Sequence, residues 1–247
     1  MAEPVLGIDI GGSGIKANLV DLALGDPVGD RYKVYTPQPS IPEAVAEVVV
    51  DVVKHFGSAG PIGCTFPAVV RRGVTLSAAN VDESWIGTDA AALFSRVTGL
   101  RVVVVNDADA AGLAEMTYGA GRNRDGVVIC LTFGTGIGSA LFTSGVLVPN
   151  TEFGHLSFAG HDSVEDWAAA SVKEDDELSW SKWGERVNAY LHHLDKVFSP
   201  DLVIVGGGIS RKFAKFSDLL DVECEVVPAE LRNDAGIVGA AMAASAR

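Results

Sequence analysis

The sequence predicts an α/β protein folded as two units, and three observations carry that reading. Short β-rich runs alternate with helical periodicity along most of the chain, three such runs follow one another at its start, and glycine-rich turns follow three of the strands. Residues 5–10 (VLGIDI), 15–20 (IKANLV) and 28–35 (VGDRYKVY) read as a meander, each run bounded by Gly, Asp or Pro. A helix is predicted next, because Val45, Val48, Val49, Val52, Val53 and Phe56 recur at helical spacing. Ser40 and Glu43 predict a capping box at its start, with Pro42 inside the first turn.

Further strands are predicted at 61–66, 102–106, 126–133, 137–142 and 202–206, and helices near 88–98, 108–117, 164–173, 180–198 and 233–245. The helix at 180–198 is the cleanest. Trp180, Trp183, Val187, Tyr190, Leu191, Leu194 and Phe198 fall on one face, with Ser179 as the cap, so its aromatics read as core. No Gly/Ser/Pro-rich linker, low-complexity block or repeat with a period of about 20–50 residues marks a boundary. Two domains in close contact are therefore expected: residues 1–108 plus 232–247 as a smaller α/β domain, and 109–231 as a larger one.

Composition narrows the function classes. The chain has 247 residues, 48% of them hydrophobic, which is ample for a packed core. Its net charge of −13 argues against general nucleic-acid binding, which depends on neutralising phosphates with Lys and Arg. A local cluster such as Arg211, Lys212 and Lys215 can still hold a polyanion, because fields from exposed charges fade over about 8 Å. No run of about eighteen apolar residues occurs and the N-terminus leads straight into a strand, so a cytoplasmic protein without membrane contact is expected. The cysteines Cys64, Cys130 and Cys224 are widely spaced among apolar residues, which predicts buried thiols rather than disulfides or a metal cluster.

The glycine turns are Gly11-Gly12-Ser13-Gly14, Gly134-Thr135-Gly136-Ile137-Gly138 and Gly206-Gly207-Gly208. Glycine lets the backbone turn with positive φ and approach a ligand closely, so successive N–H groups can face phosphate oxygens. A tight hairpin explains any one such turn; three after strands point to phosphate. The first also matches a loose dinucleotide fingerprint, Gly12-x-Gly14-x-x-Ala17. That fingerprint needs a helix after the glycines, whereas Ile15, Ala17 and Leu19 alternate with Lys16 and Asn18 as in a strand. A Walker A loop is also absent, since Ala17 follows Lys16. Asp9, at the end of the first strand, can hold Mg²⁺ through water.

Asn106 and Asp107 stand where a buried strand gives way to a helix. A carboxylate there can act as general base toward a substrate hydroxyl, or Asp107 or Asp109 can simply cap the helix; spacing alone leaves both open. The segment Asn150-Thr151-Glu152-Phe153-Gly154-His155 sets a carboxylate and an imidazole three residues apart. With Glu165 these residue types suit a sugar, whose hydroxyls both donate and accept, although a lone His is more often structural.

The chain resembles the ROK family of sugar kinases, and within it the actinobacterial branch of polyphosphate-using glucokinases and polyphosphate/ATP glucomannokinases. The resemblance covers nearly all of the chain through LGIDIGGSGIK (6–16), TFPAVV (65–70), AANVDESWIGTD (78–89), NDADAAGLAE (106–115), LTFGTGIGSALF (131–142), NTEFGH (150–155), LSW (178–180), SPDLVIVGGGIS (199–210) and RNDAGIVGAA (232–241). It implies an actin-like (ribonuclease H-like) ATPase fold of two α/β domains with a cleft between them. It implies that Asp107 is the base acting on the 6-hydroxyl of glucose, with Asn80, Asn106, Glu152, His155 and Glu165 holding the other hydroxyls.

The resemblance places Asp9, Gly11, Gly12, Ser13, Gly14 and Lys16 at the phosphates on one side, and Thr132, Gly134, Thr135 and Gly136 on the other. Gly207 and Gly208 would meet the nucleotide or phosphate chain. The expected partners are glucose, inorganic polyphosphate and ATP with Mg²⁺, and a second copy in a homodimer. Many members of the family carry zinc on the His of the E-x-G-H motif and three cysteines in the next loop. Here residues 158–165 contain no cysteine, so no zinc is expected and His155 is left for the sugar. A strictly ATP-dependent glucokinase, a non-catalytic sugar-binding protein and, on the loose fingerprint, an NAD-dependent oxidoreductase are the competing readings. Lys16, Arg122, Arg124, Lys173, Lys182, Arg211, Lys212 and Lys215 are the bases available for a polyphosphate track.

Overall fold

A computed structural model describes residues 3–246. The chain forms two compact units. One runs to Ala114 and resumes at Asp234; the other is Glu115–Asn233. The sequence boundaries at 108/109 and 231/232 lie slightly earlier in the chain, and the units are nearly equal in length rather than small and large.

The first unit contains β1 (Val5–Ile10), β2 (Gly14–Asp21), β3 (Asp26–Tyr35), α1 (Pro42–Phe56), β4 (Ile62–Phe66), β5 (Val70–Arg71), β6 (Val74–Thr75), α2 (Ala90–Thr98), β7 (Val102–Asn106) and the start of α3 (Asp107–Tyr118). The second contains β8 (Val127–Phe133), β9 (Ile137–Thr143), β10 (Val146–Val148), α4 (Glu165–Ala168), α5 (Ala170–Asp175), α6 (Trp180–Phe198), β11 (Leu202–Gly206) and β12 (Glu225–Pro228). The chain then returns to the first unit in α7 (Ala235–Ser245).

The main sheet of the first unit has the order β3-β2-β1-β4-β7, and that of the second β10-β9-β8-β11-β12. In each, three antiparallel strands are followed by two parallel ones. The two units therefore repeat one topology without a visible sequence repeat. β2 starts directly at Gly14, so a strand follows the first glycine turn and the dinucleotide fingerprint lacks its helix.

The first core gathers Leu6, Ile8 and Ile10 of β1 against Val45, Val49 and Val52 of α1, with Phe66 and Phe94 packed on Trp85. The chain's return in α7 depends on small residues. A Cβ at Gly7 would strike the Ile237 carbonyl and one at Gly63 the Ala240 carbonyl, so the helix backbone lies directly on β1 and β4. The second core centres on Trp183, which meets Phe133 and Phe216 edge-on and donates its indole N–H to Ala168 O at 3.0 Å.

Two local expectations are corrected. The capping box of α1 does not form: Ile41 is the N-cap, and Ser40 instead accepts the Asp82 N–H with its hydroxyl and the Trp85 indole N–H with its carbonyl. The helix expected at 164–173 is two short helices, broken at Ala169, which is extended with φ −61° and ψ 159°. Past that break Ser171 donates its N–H to Gly134 O and its hydroxyl to Thr135 O, a tertiary anchor that helical periodicity does not reveal. Ser179 does cap α6, accepting the Lys182 N–H. No helix among the described residues is long and apolar enough to cross a membrane.

Candidate active site

In the first unit, Asp9, the next-to-last residue of β1, stands between two partners set by the sheet register. Lys16 of β2 and Thr65 of β4 both stand opposite it. The Thr65 hydroxyl donates to Asp9 Oδ1 at 2.8 Å and accepts the Ile10 N–H, while the Lys16 ammonium lies 3.4 Å from Oδ2. The carboxylate is held in one orientation but remains partly exposed. The adjoining turn closes with Gly11 N–H donating to Gly14 O, and the Thr36 hydroxyl donates to Gly11 O. A Cβ on Gly12 would stand 2.5 Å from the carbonyl oxygen of Asn80, so this turn and the Asn80 loop are in direct contact. Asn80 itself is exposed.

Asn106 is the last residue of β7 and caps α3. Its side-chain oxygen accepts the Asp109 N–H at 2.9 Å, and its amide donates to Ala68 O at 3.0 Å. With those bonds made, one amide N–H is left for a ligand. Asp107 begins α3 and its Oδ1 accepts the Ala108 N–H at 2.8 Å. The capping role that spacing left open for Asp107 is thus filled by Asn106, with the Asp107 carboxylate only half-buried at the strand's C-terminal end.

In the second unit, β8 and β9 are joined by the second glycine turn, which closes with Gly134 N–H donating to Gly136 O. Ser139 fixes the direction of the Glu152 segment, because its hydroxyl donates to Thr151 O and accepts the Phe153 N–H. Gly154 must be glycine, because a Cβ there would strike the Ile137 carbonyl. His155 stands between two carboxylates, with Nε2 3.4 Å from Glu165 Oε1 and Nδ1 3.9 Å from Glu152 Oε2. Glu165 Oε2 accepts the Ile137 N–H at 3.0 Å, which ties this trio to the glycine turn.

Burial pushes the Glu152 carboxyl above the ordinary glutamate range; His155 opposes the shift, and the charge of Glu165 adds a smaller push upward. Gly207 lies on the same side of β8: it has φ +79°, and a Cβ would strike the Phe133 carbonyl, so the third glycine turn abuts the start of the second.

The structure thus gathers Asp9, Lys16 and the first turn in one place, Asn106 and Asp107 in another, and Glu152, His155 and Glu165 in a third. Sequence reasoning did not single out Thr65, Ser139 or Glu115. Each is a polar residue inside an otherwise apolar stretch, the signal that would have found them. Glu115 is buried and accepts N–H bonds from Ala120, Glu230 and Leu231.

The sheet order repeated in both units defines the actin-like class of fold. The model of the ROK family matches residues 5–170, and this chain belongs to that family. It is 54% identical over 241 residues to a polyphosphate glucokinase of Mycobacterium tuberculosis (strain CDC 1551 / Oshkosh), an alignment covering 97% of this chain and 91% of the relative. Among solved structures it is similar to the inorganic polyphosphate/ATP-glucomannokinase from Arthrobacter sp. strain KM, with TM-score 0.93, 49% identity and 98% of each chain covered. It is also similar to a ROK family glucokinase from Streptomyces griseus in complex with glucose and AMPPNP, with TM-score 0.83 and 26% identity, covering 98% of this chain and 99% of that one.

Proposed function

We propose that this chain is a cytoplasmic glucokinase that transfers the terminal phosphoryl group of inorganic polyphosphate, with ATP as a second donor, to the 6-hydroxyl of glucose. The observation that carries the reading is the 54% identity to a polyphosphate glucokinase over 97% of the chain. The sugar-side residues support it: the carboxylate–imidazole–carboxylate trio of Glu152, His155 and Glu165 offers the alternating acceptors and donors that vicinal hydroxyls require.

In this reading Asp107 removes the proton of the 6-hydroxyl, whose oxygen then attacks the terminal phosphorus. The bond from that phosphorus to the next bridging oxygen breaks, leaving a polyphosphate one unit shorter, or ADP. Asn106 fixes the start of α3 and so orients Asp107, and Asn80, Glu152, His155 and Glu165 hold the remaining hydroxyls. The backbone of Gly11, Gly12, Ser13 and Gly14, with Lys16, and that of Thr132, Gly134, Thr135, Gly136, Gly207 and Gly208 cradle phosphate oxygens. Mg²⁺ binds with few protein carboxylates and keeps its waters and phosphate ligands. Asp9 fits that habit, since it is partly exposed and pre-oriented by Thr65 and Lys16. When bound, the ion neutralises charge on the phosphoryl oxygens.

The name of the Arthrobacter relative supports mannose as a second acceptor, and the family resemblance supports a homodimer, which sedimentation tests. The AMPPNP complex of the Streptomyces griseus relative favours the strictly ATP-dependent alternative as the second reading. One assay decides between them. Purified protein with glucose and Mg²⁺ should form glucose 6-phosphate with either donor; formation with ATP alone selects the second reading, and none with either donor overturns both.

A further inference from the structure

The second and third glycine turns each lead into a short helix. α5 begins over the Gly134–Gly136 turn, where Ser171 donates to Gly134 O and Thr135 O, and presents Lys173 two residues later. The 3₁₀ segment Gly208–Lys215 grows out of the Gly206–Gly208 turn and presents Lys215 at its end. The two lysines converge on one ring. Lys173 Nζ stands 4.4 Å from the Trp180 centroid and Lys215 Nζ 5.3 Å from it, with Trp180 stacked on Phe216. Trp180 is also the first residue of the nineteen-residue helix α6, so the positive end of a long helix adds to the same spot. All of these residues belong to the unit Glu115–Asn233.

Two other cations are committed differently. Arg124 is held by both oxygens of Glu225 at 2.7 and 2.9 Å, and Lys16 faces Asp9. Among the described residues no carboxylate lies within 4.0 Å of the Lys173 or Lys215 ammonium, or of the Arg211 and Lys212 cations on the same 3₁₀ segment. In a chain of net charge −13, cations gathered without carboxylates, and held by an aromatic ring instead, form a site for an anion.

We propose that Lys173 and Lys215, gathered over the indole of Trp180, form a cationic shelf that binds the phosphate units of a polyphosphate chain lying beyond the one being transferred. The proposal rests on polyphosphate as donor and adds where the polymer lies. A nucleotide ends at its third phosphate and presents a base beyond it, whereas a polymer continues as a line of negative charge. The shelf, reached from two phosphate turns, matches the second shape.

The test compares wild type with K173Q/K215Q, K173R/K215R and K54Q, which changes an exposed lysine paired with Asp51, each first shown by thermal unfolding to be folded. Long-chain polyphosphate and ATP are the donors, and the salt concentration is varied. Neutralising a polyanion with lysines releases counterions, so removing two lysines should make the salt dependence shallower. The ratio of kcat/KM for polyphosphate to kcat/KM for ATP should fall about tenfold in K173Q/K215Q. K173R/K215R should restore most of it, and K54Q should stay within about twofold of wild type.

An unchanged ratio and salt slope in K173Q/K215Q, or an equal loss in K54Q, overturns the shelf. Calorimetric titration of the same proteins with polyphosphate separates this inference from the donor reading. Wild type that binds the polymer, binds it more weakly as K173Q/K215Q, and yet transfers nothing from it supports the shelf and overturns the donor. Equal binding by wild type and K173Q/K215Q overturns the shelf whatever the turnover.

Discussion

Glu165 accepts the backbone N–H of Ile137 at 3.0 Å. Its second oxygen, 3.4 Å from His155 Nε2, faces the proposed sugar site, while Ile137 adjoins the Gly134–Gly136 turn. One side chain therefore joins the proposed sugar residues to the second glycine turn. Glu165→Ala should raise KM for both glucose and polyphosphate, and should cost about 1–3 kcal/mol of stability because the Ile137 N–H loses its acceptor. Glu165→Gln keeps an acceptor oxygen for Ile137 but loses the charge. It should restore stability and the donor KM while leaving the glucose KM raised. Steady-state kinetics with each substrate varied, together with urea unfolding, check both substitutions.

Asn106 takes the capping of α3 over from Asp107, since its side-chain oxygen accepts the Asp109 N–H. If the Asp107 carboxylate is the base, Asp107→Asn should lower kcat by about 10²–10⁴ while leaving glucose affinity close to wild type. Its cap-like bond to the Ala108 N–H survives in Asn, so the melting temperature should change little. Calorimetric glucose titration alongside the coupled assay reads both. A near-normal kcat sinks the assignment.

Glu152 carries the pH dependence. Burial raises its carboxyl above the ordinary range of about 4.3, Glu165 adds to the shift and His155 opposes it. In the proposed sugar site the ionised form would accept hydroxyls, so kcat/KM for glucose should fall with decreasing pH, and at a higher pH than an ordinary glutamate would set. Glu152→Gln should be weaker at every pH and lack that limb. The stability sign is opposite. A raised folded pKa means that the native state holds the proton more tightly than the unfolded chain, so this contribution is complete below the unfolded pKa and is lost as pH rises through the folded one. Glu152→Gln should therefore be the more stable protein at neutral pH, read by urea unfolding.

Local signals made much of the fold legible. Short β-rich runs bounded by Gly, Asp or Pro set the three opening strands, helical spacing set α1 and α6, and glycine after apolar runs marked all three turns. What failed depended on distant partners. Ser40 looked like a cap but is drawn to Asp82 and Trp85, and the predicted helix at 164–173 is broken at Ala169, two residues before Ser171 bonds to Gly134. The repeated sheet order is a matter of pairing and leaves no trace in residue spacing. For the site, residue types were legible because chemistry restricts them. That His155 stands between Glu152 and Glu165 was not, since α4 begins ten residues further on and its approach is set by packing.

Glu115 tests whether a buried carboxylate can serve the fold alone. It is 3% exposed, and its two oxygens accept the N–H groups of Ala120, Glu230 and Leu231. The end of α3 is thereby bound to the segment that leads back into α7. Glu115→Ala would take the acceptor from three amides; Ala120 and Leu231 are half-buried and Glu230 is exposed, so water replaces part of what is lost. A loss of about 1–3 kcal/mol in urea unfolding is expected, enough to reduce the yield of folded protein. Glu115→Gln keeps one full acceptor oxygen and should lose less than Glu115→Ala. Because Glu115 has no proposed contact with either substrate, the folded fraction of Glu115→Gln should retain wild-type KM for glucose and for polyphosphate. A changed glucose KM in that fraction would show that the staple also positions the catalytic end of α3, where Asp107 stands.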